Sequence, residues 1–329
     1  MAPPTSDFPE VQLHVVTGKG GTGKTTVAVA LALALAGRGQ RVLVCEVEGR
    51  QGIAQLLDVA PLPYEERRVA SGLGGGEVFA LAIDAESALL EYLEMFYRLG
   101  RAGKALDKFG VIDFATTIAP GVRDVLLTGK VYEIARRRGE KRDTGPQYDA
   151  IVIDAPPTGR IRQFLNVSTE VAGLAKVGPI RRQADSITAM MRSDATRVHL
   201  VTVLEEMPVQ ETLDGIADLA AADLPVGHVI VNLVRGALLS DATASAITGG
   251  GLTPKAVAKA LAAAGLDGSA ATALLDEGRG HLERQELQQS QRELLEDSPA
   301  TTTELPLLDD IGIGGLMELA ELLRDGGVA

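Results

Sequence analysis

Apolar residues come along this chain in short, mainly apolar runs, at 11–16, 42–47, 78–83, 150–154, 198–203, 226–231 and 305–308, with stretches of helical spacing between most of them. The run at 42–47 lacks the alternation of a half-exposed strand, and strands buried on both faces read this way. Strands alternating with helices predict an α/β fold: a mainly parallel sheet of about seven strands, with right-handed crossovers and helices on both faces. Two stretches interrupt the alternation. Residues 86–142 carry a Leu89, Leu90, Leu93, Phe96 stripe and a second helical segment at 125–135, and residues 162–195 look similar. Together they predict a helical subdomain inserted on the sheet. Residues 237–300 are Ala-rich, then charged and Gln-rich, and also read as helix. The polar, Pro-rich residues 1–10 read as a flexible tail, and 11–329 as a single domain.

Composition narrows the classes. Of 329 residues, 46% are hydrophobic, enough for a real core. Aromatics are 3% with no Trp, which argues against stacking platforms for single-stranded nucleic acid. The net charge of −12 supplies no basic face for nucleic acid or an anionic membrane. The short basic runs Arg136-Arg137-Arg138 and Arg181-Arg182 read as solvated helix ends. One cysteine, Cys45, excludes an intramolecular disulfide and a single-chain thiol metal site, and its apolar neighbours predict a buried, inert thiol. His14, His199, His228 and His281 lack metal-ligand spacing and read as packing residues. No secretion signal stands at the start, and the longest apolar run, 27–36, is about half of what a bilayer span needs. The expectation is a cytoplasmic protein without membrane insertion.

The chemistry concentrates after the first run. Gly18-Lys19-Gly20-Gly21-Thr22-Gly23-Lys24-Thr25 fits GxxxxGK[ST], between a predicted strand and a predicted helix over 27–36. Glycines let successive backbone N–H groups face one phosphate, and the helix adds its positive end. Lys24 is placed to reach the β- and γ-phosphates, and the Thr25 hydroxyl to hold Mg2+. The bland alternative is a Gly-rich turn. Lys19, a second lysine in the loop, is either a solvated charge or a positive group for a developing transition state. The run at 150–154 ends in Asp154, the form of a strand-end carboxylate that holds magnesium, here through water. Pro157-Thr158-Gly159 then suit a loop that senses the γ-phosphate, with a plain turn as the alternative.

With those residues in hand, the chain resembles the deviant phosphate-loop ATPases. It is most similar to the arsenite-pump and guided-entry (tail-anchored-protein targeting) family, in its bacterial branch. The resemblance runs through most of the chain and implies a P-loop fold, ATP or ADP with Mg2+ as cofactors, and slow hydrolysis by a dimeric switch. It implies that Lys19 is the signature lysine that reaches the partner's nucleotide. It implies nucleotide contacts from Gly20, Gly21, Thr22, Gly23, Lys24, Thr25 and Thr26, an adenine contact from Asn232, and a second switch at 154–159. The segment 305–323 resembles the family's last strand and helix. Arg160 departs, since many members carry His there. The first switch departs further: where the family has Asp-Pro-Ala, this chain has Glu48-Gly49-Arg50. Glu48 then orients water from a stem one methylene longer, or is a surface residue without a catalytic part. The cysteine clamp and thiol metalloid site of some members are absent. Met95-Phe96 and Met190-Met191 are too few for a client groove and read as core.

Three readings compete with the dimeric ATPase switch that drives a protein client. One is a nucleotide-holding scaffold, or the non-catalytic half of a heterodimer with a paralogue. Another is a partition or division-site ATPase, disfavoured by an acidic C-terminal helix in place of a basic amphipathic one. A P-loop kinase or ligase lacks a visible second substrate site.

Overall fold

In the computed structural model the described residues are 6–72, 74–97, 120–137, 145–167 and 179–329. Their strands form one eight-stranded sheet, ordered β3-β4-β2-β5-β1-β6-β7-β8. These strands are β1 (Leu13–Gly18), β2 (Arg41–Glu46), β3 (Arg67–Ser71), β4 (Glu77–Ala82), β5 (Ala150–Asp154), β6 (Thr196–Thr202), β7 (Val226–Val234) and β8 (Thr302–Pro306). Every pairing is parallel except β3 with β4. The seven expected strands are all present. The eighth, β3, is the antiparallel edge. Its sequence RRVAS is polar and half-exposed, so it carries no apolar run, and charged residues are how an edge strand avoids pairing with another chain.

Helices cover both faces. On one side α1 (Lys24–Ala36), α2 (Gly52–Leu56) and the last helix, α11 (Ile313–Asp325), enclose a core with Val16, Val44, Val152 and Val201. α1 is apolar all round, KTTVAVALALALA, because it lies between the sheet and α11. On the other side α4 (Pro120–Arg136), α5 (Thr158–Leu165), α6 (Pro179–Met191) and α7 (Glu206–Ala221) pack on Val15, Cys45, Ile153 and Leu200. α3 (Ala85–Tyr97) flanks α4. The stretches expected as a helical subdomain thus contribute Leu127, Val131, Ile187 and Met191 to the same core as the sheet. Residues 98–119, 138–144 and 168–178 of those stretches lie outside the described residues, as do the side chains of Met95 and Phe96. Met191 is fully buried and Met190 is partly buried against the same core, the packing role expected of the pair. Beyond β7 come α8 (Asp241–Thr248), α9 (Pro254–Ala263) and the long α10 (Ala271–Glu296).

Two expectations are corrected. Arg137 is not a solvated helix end. It is 8% exposed, and its guanidinium donates to Glu66 at 2.6 Å and Glu133 at 2.8 Å, while Tyr148 also donates to Glu66. Lys130, one face along α4, pairs with Glu91 and Glu133. Glu133 lies one helical turn away, but Glu66 lies 71 residues away and the basic run gives no local sign of it. Nor is the segment before β1 a free tail from residue 6 onward. Asp7 N–H donates to Gly327 O, its carboxylate meets His228 Nε2 at 2.9 Å, and Phe8 packs edge-on against His199 and His228.

Candidate active site

The phosphate loop leaves the C-terminal end of β1, between β5 and β6, where chain direction across an open α/β sheet makes a crevice. Gly23 sits at φ 85°, a left-handed conformation that turns the loop into α1. It also admits a close neighbour: a Cβ there would lie 2.3 Å from Asn232 Nδ2. That amide donates to Thr22 O at 2.9 Å, so the residue expected at the adenine braces the loop from β7. Thr22 closes the turn by donating to Lys19 O at 2.9 Å. A Cβ built on Gly20 or Gly21 meets nothing within 4 Å, so both glycines border open space.

Thr25 and Thr26 occupy the first turn of α1, which opens at Lys24, ahead of the expected start at Val27. The Thr25 hydroxyl donates to Asp154 Oδ2 at 2.7 Å, and Lys24 Nζ lies 3.4 Å from Lys19 O. The donor set, a hydroxyl and a carboxylate beside a buried lysine, fits a hard oxygen-seeking cation and a polyphosphate. Burial raises the Asp154 carboxyl to about 6 against the pull of Thr25 and Lys24, with Glu46 and Glu48 adding to the rise. Burial also lowers Lys24, opposed by Asp154 and Glu48. These shifts identify a crowded, dry, charged site.

Glu48 lies close enough to act on the charges of Asp154 and Lys24, and Arg50 pairs with it at 3.6 Å. Its position is set by a residue the sequence reading passed over. Glu46 is buried at the end of β2, in register with Asp154 on β5. Its carboxylate accepts the backbone N–H of Gln51 and that of Ile53, at 3.2 Å. This closes residues 47–51 into a loop and orients α2. Glu46 gives the same signal as Asp154, an apolar strand ending in an acid, and was legible by that rule. Gly49 is left-handed at φ 70° and open to solvent.

In the segment expected as a second switch, Pro157 caps α5, Thr158 opens it and Gly159 follows. Thr17 Oγ1 donates to Pro156 O at 2.7 Å and ties this segment to the phosphate-loop strand. The departing Arg160 reaches Asp124 on α4 at 3.3 Å. Lys19 turns away from the loop to Glu211 on α7, at 2.7 Å. Asp124 and Glu211 lie far from the motif in sequence, and nothing in their own neighbourhoods announces them.

The model of the anion-transporting ATPase family matches residues 11–193. The chain belongs to that family. Its ATPase activity accords with relatives along nearly its full length. It is 49% identical over 321 residues to the ATPase BagA of Mycobacterium tuberculosis, covering 97% of this chain and 94% of that protein. It is 25% identical over 250 residues to the arsenical pump-driving ATPase of Acidiphilium multivorum, covering 70% of this chain and 41% of that protein. Among the described residues no helix is long and apolar enough to cross a membrane.

Proposed function

We propose that this ATPase is a slow Mg-ATP switch that works as a dimer, with itself or with a paralogue, and passes the change to a protein client in the cytoplasm. The observation that carries the reading is the bond between Thr25 and Asp154 beside Lys24. In this reading Thr25 holds magnesium and Asp154 holds its water, and Lys24 binds the outer phosphates. The metal, when bound, neutralises charge that builds on the transferring phosphoryl group. Glu48 orients the attacking water, Asn232 holds the loop beside the adenine, and Lys19 serves the nucleotide across the dimer.

The two switches are tied to separate parts of the structure, which supports transmission. Glu46 fastens the first to α2, and Arg160 fastens the second to α4. A metalloid cargo held by thiols is not supported. Cys45 is buried in β2, and burial pushes its thiol up, away from the thiolate that would bind.

One observation favours the scaffold alternative: Glu48 is engaged by the exposed Arg50. Sedimentation of wild type and Glu48→Gln with Mg-ATP or Mg-ADP separates the readings. A dimer that forms with ATP, and persists longest in Glu48→Gln, is the expected result. Identical monomers with either nucleotide would contradict the switch.

A further inference from the structure

One stripe of α7 meets both halves of the phosphate site. Glu211 accepts Lys19 Nζ at 2.7 Å. One turn later Gly215 lies against the second switch, where a Cβ would come within 3.1 Å of Thr158 Cγ2 and 3.0 Å of Leu200 Cδ2. One turn earlier Met207 stands 61% exposed. Spacing of four residues puts all three on one helix face. Beside that stripe the Thr158 hydroxyl is buried without a hydrogen-bond partner, although it opens the switch helix.

Lys19 and Lys24 share one loop and differ in what holds them. Lys24 is buried and turned to a loop carbonyl, whereas Lys19 stands 30% exposed against a carboxylate 192 residues along the chain. A lysine committed to Glu211 does not neutralise a phosphate. Both members of the pair are about a third exposed, so water and salt weaken it and a stronger anion can take the lysine away.

We infer that Glu211 is the positioning residue for Lys19. It parks the lysine on α7 in the resting protein, and phosphate charge competes for it during turnover. The exchange loosens α7 at Glu211 while Gly215 stays packed on Thr158, so the helix feels the loop and the switch together. Met207 is the exposed end of that lever. The effect on turnover rests on the ATPase reading, and the ion pair stands without it.

The experiment compares wild type, Glu211→Gln, Lys19→Ala and the double variant. The first readout is labelling of nucleotide-free protein with an acetylating ester, followed by peptide mass spectrometry, with the exposed Lys255 as internal reference. Lys19 labels about two- to fivefold faster in Glu211→Gln, the range a part-exposed ion pair supplies, while Lys255 is unchanged. The second is Mg-ATP turnover. Glu211→Gln raises kcat by about the same factor at constant KM, and the rise vanishes when Lys19 is Ala. Unchanged Lys19 labelling would overturn the inference, as would an equal change of kcat in both backgrounds. Absence of turnover in all four proteins would count against the ATPase reading, and the labelling would still decide the pair.

Discussion

Glu46 and Glu48 are two carboxylates on one short loop with different work. Glu46 is buried and spends both oxygens on backbone N–H groups, while the charge of Glu48 acts on Lys24 and Asp154. Glu46→Gln keeps the shape but removes an acceptor, since an amide offers one oxygen where the carboxylate offers two. One of the two loop N–H groups is then left without a partner. The account predicts a fall in kcat of about 10- to 100-fold with ATP affinity within about threefold of wild type, because an error of about 1 Å in a positioning residue costs on that order. Paired steady-state kinetics and nucleotide titration check it, and an equal loss of affinity would mean that Glu46 supports the whole loop. The phosphate loop and Asp154 were legible because each is a contiguous signal. Glu46 was overlooked, although it shows the same strand-end pattern. Glu211 and Asp124 were not legible, because a single sequence does not pair residues that only the fold brings together.

α4 holds its place through ion pairs as well as packing. Arg137 and Lys130 connect it to Glu66 beside β3 and to Glu91 on α3, and Arg160 connects it to the second switch. Arg137→Ala leaves Glu66 and Glu133 without their shared cation in a largely buried setting. Breaking such a pair costs about 3 kcal/mol or more, against about 1 kcal/mol or less for a surface pair. Urea unfolding should show that loss for Arg137→Ala and less than about 1 kcal/mol for Arg279→Ala, whose pair with Asp276 is exposed. Equal costs would mean that the α4 network is no more than surface decoration. At this scale the sequence was informative where an element is apolar, as in α1 and β5. It was silent for β3, whose polar residues resemble a loop until the neighbouring strand supplies its hydrogen bonds.

Across the whole molecule, the sheet carries a row of buried imidazoles that the sequence showed as scattered residues. His14 on β1, His199 on β6 and His228 on β7 connect in turn, and His228 ends on Thr303 and Asp7. The backbone N–H of His228 donates to His199 Nδ1 at 3.2 Å, so neutral His199 carries its proton on Nε2. That proton is donated to His14 Nδ1 at 3.1 Å, so His14 also carries its proton on Nε2. Burial, with Arg197 adding to it, lowers His14 to about 4, and burial holds His199 well below the usual range. A depressed folded pKa means that the unfolded chain binds more protons, so this contribution to stability is full above about pH 6.5 and is lost as pH falls toward about 4. Nitrogen NMR of the imidazoles should show both rings as Nε2–H tautomers, uncharged down to pH 5. Titration of either near 6.5 would contradict the buried row. At the C-terminal end of β1, the account turns on whether the phosphate loop and its two switches catalyse hydrolysis without help. The most direct measurement is phosphate release from Mg-ATP by purified wild type, Lys24→Ala and Glu48→Gln, with ATP binding confirmed separately for each. The account predicts slow turnover in wild type, loss of binding and turnover in Lys24→Ala, and retained binding without turnover in Glu48→Gln. Wild-type protein that binds ATP and releases no phosphate, or a Glu48→Gln variant that turns over at the wild-type rate, would contradict it.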